Sequence, residues 1–317
     1  MVQTPHSIGG RDVPLHSPQR VLFPEVGFTK ADLREYLEAV SEVLLPQLLD
    51  RPVTRVRFPR GITGTRFFER NTPAGAPRWL RRQALSASPG TPATSGRAPR
   101  TVTYPFIDGV DGLRWMADQA ALEFHTPQWR AGPRGAVHRP DRLVIDLDPG
   151  EGAGLAACAR VAHLVRARLA RDGLDARPVT SGGRGLHLYA AVPGESPVLA
   201  RGRTSRAVHA YVHDLARELA GEHPDLVVAR SGAEHRVGRV FLDWSQNHPA
   251  RSTATPYTLR ARGPRPTVAA PRHWEEIGDR LTQLGPEDVV ARLHREGDRL
   301  AAPGRVPPAE AAAGGAR

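Results

Sequence analysis

The chain has 317 residues, 40% of them hydrophobic, so it is long enough to form one large domain or two smaller ones around a real core. Its 44 Lys and Arg residues exceed its 33 Asp and Glu residues, giving a net charge of +11, and this excess favours nucleic acid as a partner because no basic amphipathic helix suggests a membrane. The single cysteine, Cys158, excludes a disulfide framework and a cysteine-based zinc site, and we expect it to be a packed core thiol.

The N-terminal segment, residues 1–16, is predicted to be irregular, and it lacks the apolar core of a signal peptide. No other run of residues is long and apolar enough to span a membrane. We therefore expect a cytoplasmic protein without a membrane partner.

A first helix is predicted after Thr29, which is a suitable N-cap with Asp32 as its capping-box partner. Apolar residues at helical spacing continue to Leu44, and Pro46 is expected to end the helix. Lys30, the only lysine of the chain, lies in the first turn, where a cation opposes the helix dipole. Its position alone predicts a solvated side chain, with a bound phosphate as the alternative.

The alternating pattern of residues 54–58 predicts a strand, and we expect its charged face, with Arg55 and Arg57, to be exposed to solvent. The aromatic residues Phe67 and Phe68 follow, with arginines on both sides. Such a pair belongs either to the core or to a platform on which nucleic-acid bases stack, and the residues alone leave both interpretations open.

Residues 84–100 are small, polar and rich in Pro and Gly, so we predict a mobile surface loop. A short strand is predicted at 104–107, followed by apolar residues at helical spacing from Leu113 to Phe124. This spacing predicts a helix that ends near His125, where a lone histidine is usually a cap or a surface residue.

The stretch from Leu143 to Gly150 is typical of a buried strand that ends in a Pro-Gly turn. Because side chains alternate along a strand, Asp146 and Asp148 are expected on the same face. Two neighbouring carboxylates repel each other unless a cation keeps both ionised, and a divalent metal is the usual cation; a solvated turn is the alternative. A third carboxylate, Asp243, lies in another apolar strand.

A helix is predicted for residues 153–172, and a glycine-rich turn at 180–185 then leads into a strand. Ser181, Arg184 and His187 offer donors there, and we expect the glycines to leave backbone N–H groups exposed, which suits a triphosphate. A simple hairpin turn is the alternative, since glycines are common in such turns.

An amphipathic helix is predicted at 203–220, short helices at 274–300 and a disordered tail at 301–317. No internal repeat and no polar linker divide the chain, so residues 17–300 are expected to form one domain. Three carboxylates beside a cationic phosphate-binding turn are the parts that nucleotidyl transfer with two metal ions needs.

Eight sequence motifs carry a family resemblance. In chain order they are TKADLREY, FFER, HTPQWR, DLDPGEG, SGGRGLHLY, FLDWSQN, PYTLRAR and TVAAPRHW. Together they resemble the polymerase domain of bacterial end-joining ligase D, which belongs to the archaeo-eukaryotic primase superfamily. Each motif alone is weak, but the ordered set covers about residues 10–300 and is therefore specific.

The resemblance implies an α+β primase-polymerase fold, with mixed and antiparallel sheets flanked by helices and an active site in a cleft. It implies that two Mn²⁺ or Mg²⁺ ions are bound by the catalytic residues Asp146, Asp148 and Asp243. Nucleotide binding is assigned to Ser181, Arg184, His187, Arg260 and His125, and we add Arg57. DNA binding is assigned to Ser17, Arg20, Lys30, Phe67 and Phe68, and we add Arg70.

For two groups of these DNA-binding residues, the resemblance also implies which part of the DNA they contact. Ser17, Arg20 and Lys30 match positions where the family grips the 5′-phosphate of a gap or break, which reverses the solvated interpretation of Lys30. Phe67 and Phe68 match positions where the family stacks on the templating strand.

The implied function is that of a template-dependent DNA or RNA polymerase that prefers ribonucleotides and fills gaps during non-homologous end joining. Its substrates would be NTPs or dNTPs and gapped or broken DNA ends with a 5′-phosphate. The chain has no K-x-D-G ligase motif and no room for a nuclease domain. We therefore expect a free-standing, nucleoid-associated bacterial polymerase that works with Ku and a separate ATP-dependent DNA ligase.

Two other classes of function share some of these features. A non-catalytic DNA-end binding or bridging protein of the same fold would keep the basic surface, but it would be favoured only if an aspartate were missing. A two-metal nuclease would use paired aspartates, but hydrolysis needs no triphosphate-binding turn. The chain also departs from the family, which often has Lys at Arg184, Asn at Ser17, Lys at Arg20 and a basic residue near Glu234.

Overall fold

The computed structural model describes residues 10–87, 100–192, 204–298 and 300. Its strands are β1 Val21–Phe23, β2 Phe28–Thr29, β3 Thr54–Arg57, β4 Phe67–Glu69, β5 Arg82–Ser86, β6 Thr101–Pro105, β7 Ala121–Thr126, β8 Arg142–Pro149, β9 Ala176–Thr180, β10 Leu186–Ala191, β11 Val227–Val228, β12 Val240–Asp243, β13 Thr253–Ala254, β14 Leu259–Arg260, β15 Thr267–Val268 and β16 Ala270–Pro271. Its α-helices are α1 Lys30–Ala39, α2 Ser41–Leu48, α3 Val110–Asp118, α4 Leu155–Arg171, α5 Ser205–Glu222 and α6 Pro286–Glu296.

Most of these strands belong to two sheets. A six-stranded sheet has the order β11-β12-β8-β10-β9-β16, and its pairs are antiparallel except for β11 with β12. A four-stranded antiparallel sheet has the order β13-β7-β3-β4, and two-stranded ribbons join β1 to β2, β5 to β6 and β14 to β15. This mixture of helices and mainly antiparallel sheets confirms the predicted α+β class.

The two faces of the six-stranded sheet belong to different cores. Leu147, Leu188 and Leu242 are fully buried against α4 and α5. Val144 and Tyr189 point to the opposite face, where they join the core formed with α1, α2, α3 and the four-stranded sheet. Burying one such apolar side chain contributes about 1.5–3 kcal/mol to the free energy of folding. A one-residue shift in register, which would turn these side chains to the opposite face, would therefore be strongly destabilising. Polar residues in phase with Val144 therefore face the four-stranded sheet.

Side-chain hydrogen bonds connect the two sheets. The guanidinium of Arg142 in β8 is buried and donates from Nη2 to Oγ1 of Thr126 in β7 at 3.2 Å. The hydroxyl of Tyr189 in β10 donates to the Ala254 carbonyl in β13 at 3.1 Å. These bonds fix the face of β8 and β10 relative to β7 and β13.

The N-terminal helix begins as predicted but ends early. Thr29 caps α1, and its capping box with Asp32 is present. The expected single helix up to Pro46 is wrong, because Val40 leaves the helical conformation (φ −95°, ψ 6°) and a second helix, α2, contains Pro46. A proline inside a helix removes one backbone hydrogen bond. The helix persists because Leu44 and other apolar residues of α2 are buried.

The prediction that the next helix continues to near His125 is also wrong, because the helix ends at Asp118. Helix α3 stops there, Ala120 adopts a positive φ of 51°, and the chain continues as β7. Strand β7 pairs with β3, where Thr54 lies opposite His125. His125 is therefore part of a sheet and not a helix cap, because a left-handed residue breaks the helical path and non-local pairing stabilises the strand.

Strand β3 is confirmed, but its expected exposed charged face is wrong at Arg55. The Arg55 side chain is fully buried, pairs with Glu69 at 2.8 Å and lies over the Trp115 ring at 5.2 Å. A buried guanidinium is tolerated only with such partners. Arg57 of the same face is partly exposed.

The predicted loop at 84–100 is shorter than expected, because Ala84 to Ser86 belongs to β5 and pairs with β6. Strand β6 begins before the predicted strand at 104–107. The rest of the predicted loop, at 88–99, lies outside the described residues, as do residues 1–9 and the predicted tail at 301–317.

The remaining helix predictions agree with the structure. Helices α4 and α5 match the predicted helices at 153–172 and 203–220, and Cys158 of α4 is fully buried. A short 3-10 helix at Trp274–Glu276 and α6 match the predicted C-terminal helices. None of the described helices has the length and apolar character needed to cross a membrane.

Candidate active site

Three aspartates meet at one end of the six-stranded sheet. Asp146 and Asp148 share a face of β8, and Asp243 ends β12, where it lies directly opposite Asp146 in the ladder. One carboxylate oxygen from each residue lies within 4.8 Å of the others. Because Leu147 and Leu242 are buried against the helices on the other face, the alternation of the strands directs all three acids towards the four-stranded sheet.

The three carboxylates are electrostatically unfavourable to one another. The charge of Asp146 and burial raise the pKa of Asp148 to about 6, and the nearby His187 and Arg236 offset only part of this effect. Hard divalent cations prefer clustered carboxylate oxygens, and such an ion would relieve the repulsion. The donor set therefore fits Mg²⁺ or Mn²⁺.

Two of the acids are held by neighbouring groups. The Asp243 carboxylate accepts the Ser245 backbone N–H at 2.9 Å and the Gln246 side-chain amide at 3.0 Å. Nε2 of His187 lies 3.3 Å from Oδ1 of Asp146. Nδ1 of His187 is buried and has no hydrogen-bond partner among the described residues, which leaves one polar atom beside the acids for a ligand.

The glycine-rich turn joins β9 to β10 as an antiparallel hairpin, and triphosphate binding at this turn stays a prediction. The prediction that its glycines leave their backbone N–H groups exposed is wrong, because three of these groups donate to side chains. Gly183 and Gly185 donate to Oγ of Ser181 at 3.1 and 3.2 Å, and Gly182 donates to the Gln283 side chain at 2.8 Å. Both lone pairs of the Ser181 hydroxyl are thus occupied, which leaves its O–H proton for an acceptor.

Two glycines of this turn are needed for close packing. A Cβ atom at Gly185 would lie 2.1 Å from the carbonyl oxygen of Leu147, between the two aspartates of β8. A Cβ atom at Gly182, whose φ is +68°, would lie 2.5 Å from Cγ of Arg260. The turn therefore lies directly against the strand that carries the acids and against β14.

Arginines take the place of the expected free N–H groups. Arg184 is exposed on the turn itself. Arg260 of β14 is largely buried and donates from Nη1 to the Ser181 carbonyl at 2.6 Å. Arg262 follows it and is partly exposed. Together with the Ser181 hydroxyl, these guanidinium groups form a cationic wall beside the three acids, which suits a polyphosphate.

His125 lies on the facing sheet beside a buried acid. Its Nε2 is 3.0 Å from Oε2 of Glu123, two residues earlier on the same face of β7. The rings of His125 and Phe68 meet edge to face at 6.0 Å between centroids. Phe68 is 55% exposed and Phe67 is 44% exposed, so the aromatic pair belongs to the surface and not to the core.

A cavity of about 550 Å³ lies next to Phe68. Its lining includes Arg55, Glu69, Arg70, Asn71 and Arg100. The predicted DNA-binding residue Arg70 therefore lies beside the exposed aromatic pair. Arg57 instead donates to Glu69 at 3.1 Å and to the Gln119 carbonyl at 2.8 Å. Within the described ranges, no hydrogen bond or ion pair joins Arg57 to the turn, and its nucleotide-binding role stays a prediction.

The predicted 5′-phosphate residues form a separate group at the start of α1. Nζ of Lys30 donates to the His16 carbonyl at 2.5 Å and to Oδ1 of Asp118 at 3.1 Å, and Lys30 is only 5% exposed. Arg20 is exposed and donates to the Pro59 carbonyl at 2.6 Å. The Lys30 backbone N–H donates to the Arg20 carbonyl at 2.9 Å, so the two residues are neighbours, but the Lys30 ammonium group is buried and paired with an acid.

Ser17 opens the turn that precedes β1. It has a positive φ of 52°, and its carbonyl accepts the Arg20 N–H at 3.0 Å. Asn adopts this backbone conformation more readily than Ser, which gives a physical reason for the asparagine that the family often has at this position.

Comparison with known proteins decides the family. The sequence profile of the LigD primase-polymerase domain matches residues 29–300. The chain belongs to this family. It is 42% identical over 292 residues to the multifunctional non-homologous end joining protein LigD of Mycolicibacterium smegmatis and 44% identical over 294 residues to LigD of Mycobacterium tuberculosis. Each match covers 91% of this chain but 36% of the relative, so the chain spans about a third of their length.

A solved structure of the same family has the same fold. It is the polymerase domain of Mycobacterium tuberculosis ligase D in complex with DNA, with a TM-score of 0.82 and 41% sequence identity. The match covers 92% of this chain and 97% of that chain. The predicted primase-polymerase fold and the family resemblance are therefore confirmed.

Several residues of this LigD-family site were missed by sequence reasoning. They are Glu123, Asp118, Arg236, Gln246 and Arg262. The alternation of Glu123 and His125 in ALEFHT was a usable signal, because a strand places both side chains on one face. The helical spacing of the apolar residues before it concealed this signal. The partner of Lys30 had no local signal, since Asp118 comes from a distant helix.

Proposed function

We propose that this LigD-family domain is a template-dependent nucleotidyltransferase that extends DNA ends and fills gaps in non-homologous end joining. The observation that carries the proposal is the meeting of three carboxylates with a cationic wall in a chain of this family. A nuclease would need the acids but not the wall. Acids and cations side by side are what joining a nucleotide to a 3′-hydroxyl requires.

Asp146, Asp148 and Asp243 would hold two Mn²⁺ or Mg²⁺ ions. When bound, such ions favour the ionised primer 3′-hydroxyl and neutralise the triphosphate. The raised pKa of Asp148 supports this assignment, because the neighbouring His187 and Arg236 offset only part of the repulsion among the carboxylates. The Ser245 N–H and the Gln246 amide would keep Asp243 oriented towards the other two acids.

The triphosphate of the incoming nucleotide would bind the wall formed by the turn and β14. The free O–H of Ser181 and the guanidinium groups of Arg184 and Arg260 are suitable donors, and each bond to phosphate would be charge-assisted. The orphaned Nδ1 of His187 and the ring of His125 are the remaining polar groups that face the nucleotide.

DNA would lie along the surface that carries Phe68, Arg70 and Arg20. Exposed aromatic rings with flanking arginines suit unpaired bases and a phosphate backbone. The solved polymerase domain of Mycobacterium tuberculosis ligase D was obtained with DNA, which supports the same partner here. Preference for ribonucleotides and cooperation with Ku and a separate ligase are proposed from the family resemblance alone.

Primer extension on a gapped duplex with a 5′-phosphate tests the proposal. Wild type and Asp146→Asn/Asp148→Asn are supplied with Mn²⁺ or Mg²⁺ and with separate NTP and dNTP pools. We expect templated extension by wild type only, and faster extension with NTPs. A shortened primer would indicate a nuclease, and tight gap binding without extension would indicate a DNA-end binding module. A cooperative melting transition at or above the wild-type melting temperature would show that the double variant is folded.

A further inference from the structure

We infer that Glu123 is a positioning residue for the nucleotide-binding groups: it fixes the ring of His125 and anchors Arg260 and Arg262 against the triphosphate turn. This inference rests on the proposed function for its substrate, an NTP or dNTP. Glu123 itself would touch neither the nucleotide nor the metal ions.

The carboxylate of Glu123 is completely buried, yet four groups converge on it. Oε1 accepts the Ala261 backbone N–H at 3.2 Å. Oε2 accepts Nη2 of Arg262 at 3.3 Å, lies 3.3 Å from Nε of Arg260 and lies 3.0 Å from Nε2 of His125. Burying a carboxylate costs desolvation free energy, which its partners offset only in a well-defined geometry. The Glu123 carboxylate therefore fixes the positions of the groups that bind it.

The first consequence is the proton position on His125. Burial alone raises the pKa of Glu123, but the hydrogen bond from His125 and the charges of Arg260 and Arg262 outweigh it and lower that pKa to about 2. The carboxylate is thus an acceptor only, and Nε2 of His125 must carry the proton. Burial lowers the pKa of His125, so the neutral ring presents Nδ1 as an acceptor. Such an acceptor suits a sugar hydroxyl or a base N–H.

The second consequence is the orientation of the arginine wall. Arg260 is held between the carboxylate of Glu123 and the Ser181 carbonyl of the turn, 2.6 Å from its Nη1. Glu123 lies on β7 and Ser181 follows β9, so this bridge joins the two sheets across the site. Without the charge of Glu123, Arg260 and Arg262 would lose the anion that holds them beside the turn.

The first test observes the proton on His125 in the wild-type protein. Nitrogen NMR of ¹⁵N-histidine-labelled protein distinguishes a ring protonated at Nε2 from one protonated at Nδ1, and His125→Gln identifies the signal. We expect the neutral Nε2–H form at neutral pH. A ring protonated at Nδ1, or one that interconverts between both forms, would overturn the inference without any variant of Glu123.

The second test uses Glu123→Gln, which keeps the shape of the side chain but removes its charge. We expect the KM for NTP to rise about tenfold with a smaller change in kcat, since charge-assisted hydrogen bonds are about twice as strong as neutral ones. The His125 signal should shift towards a mixture of tautomers. An unchanged KM or an unchanged His125 signal would overturn the inference.

Glu276→Gln is the matched control. Glu276 also binds two arginines, Arg272 and Arg292, and the His273 N–H, and its pKa is likewise about 2. Its partners lie outside the triphosphate wall, so the control should leave both KM and the His125 signal unchanged. An equal rise in KM for both variants would mean that Glu123 acts only through general stability.

NTP affinity measured by titration separates this inference from the proposed function. If the wild type extends no primer, the proposed polymerase activity fails. The His125 signal and the loss of NTP affinity in Glu123→Gln still decide the role of Glu123 in that case. Unchanged NTP affinity in the variant would overturn the positioning role.

Discussion

At the scale of single residues, Asp148 has an unfavourable electrostatic environment, because the carboxylates of Asp146 and Asp243 lie close to it. Its pKa is raised from 3.8 to about 6, so the folded protein binds this proton more tightly than the unfolded chain. Tighter binding of this proton stabilises the folded state. This contribution to the free energy of unfolding is fully present below about pH 3.8 and is lost as the pH rises through about 6. At neutral pH the metal-free protein therefore carries an unrelieved repulsion.

We expect Asp148→Asn to stabilise the metal-free protein at neutral pH, because the amide cannot take up the unfavourable charge. The gain should be about 1–2 kcal/mol, reduced from the full pKa shift for solvent screening. Melting temperatures in EDTA should therefore be a few degrees higher for the variant at neutral pH and become equal only below about pH 3.8, where the wild-type carboxyl is protonated in both the folded and the unfolded state.

Addition of Mn²⁺ provides the control for this prediction. It should raise the melting temperature of the wild type and have much less effect on Asp148→Asn, because the variant has lost a ligand. Equal responses to Mn²⁺ in both proteins would argue against a metal site at these acids.

Lys30 raises a second question at this scale, since its ammonium group is already paired with Asp118. We expect Lys30→Ala to weaken binding to 5′-phosphorylated gaps about five- to tenfold and binding to 5′-hydroxyl gaps much less, since one charge-assisted contact is lost. Fluorescence anisotropy with the two gapped duplexes measures the difference.

Asp118→Asn is the matched variant for Lys30. It removes the competing acid while keeping the lysine, so preference for the 5′-phosphate should persist or increase. If Lys30→Ala weakens both duplexes equally, Lys30 is only the structural partner of Asp118 and the phosphate is held by other residues.

At the scale of secondary-structure elements, short alternating patterns were sufficient to predict β8 and β12. Their apolar residues are buried on one face, so a period of two places Asp146, Asp148 and Asp243 together on the other. The hairpin turn was predictable for a similar reason, because its glycines are a local signal. These features depend on neighbouring residues in the sequence.

Strand β7 was harder to predict in this way, because the helical spacing of its apolar residues conceals the alternation of Glu123 and His125, and non-local pairing stabilises the strand. Apolar residues up to Phe124 keep helical spacing, and only the left-handed Ala120 and the ladder with β3 select the strand. The same holds for the N–H groups of the turn, since the side chain that satisfies Gly182 is the distant Gln283. Burial of Arg55 likewise depends on Glu69 and Trp115 from other elements.

We expect Gly185→Ala to disrupt the hairpin, because its Cβ would lie 2.1 Å from the Leu147 carbonyl on β8. Relief of this clash requires movement of the backbone that carries the acids, so the free energy of unfolding should fall by about 2 kcal/mol or more. Urea unfolding measures the change.

Gly221→Ala is the control for this substitution. Gly221 lies in α5, and a Cβ atom added there would meet nothing within 4 Å beyond the backbone of its own helix. Alanine should therefore be neutral or stabilise the helix by about 0.5–1 kcal/mol. Equal losses in both variants would mean that the close approach at Gly185 is not what constrains the hairpin.

At the scale of the whole molecule, the count of 44 Lys and Arg residues overstates how many cations are available to a partner. Arg51 and Arg55 are buried and paired with Asp141 and Glu69, respectively. Binding is therefore governed by the exposed arginines around the site and not by the total charge.

Binding to a gapped duplex should nevertheless weaken steeply with salt, because phosphate contacts release condensed counterions. We expect a plot of log affinity against log salt concentration with a slope of about −3 or steeper, and a slope less steep by about 1 for Arg70→Ala. A flat dependence would contradict binding led by phosphates, and an unchanged slope for Arg70→Ala would remove that residue from the DNA surface.

The ladder between β8 and β12 has a consequence for how the protein matures. Asp243 reaches Asp146 only when the two strands, which are distant in the sequence, have paired in register. Contacts of this kind form late because the intervening chain must first be ordered. The repulsion among the acids opposes the same step. The ligand set for a divalent ion is thus complete only in a correctly assembled sheet, and a chain in which β12 has not paired with β8 lacks the third carboxylate.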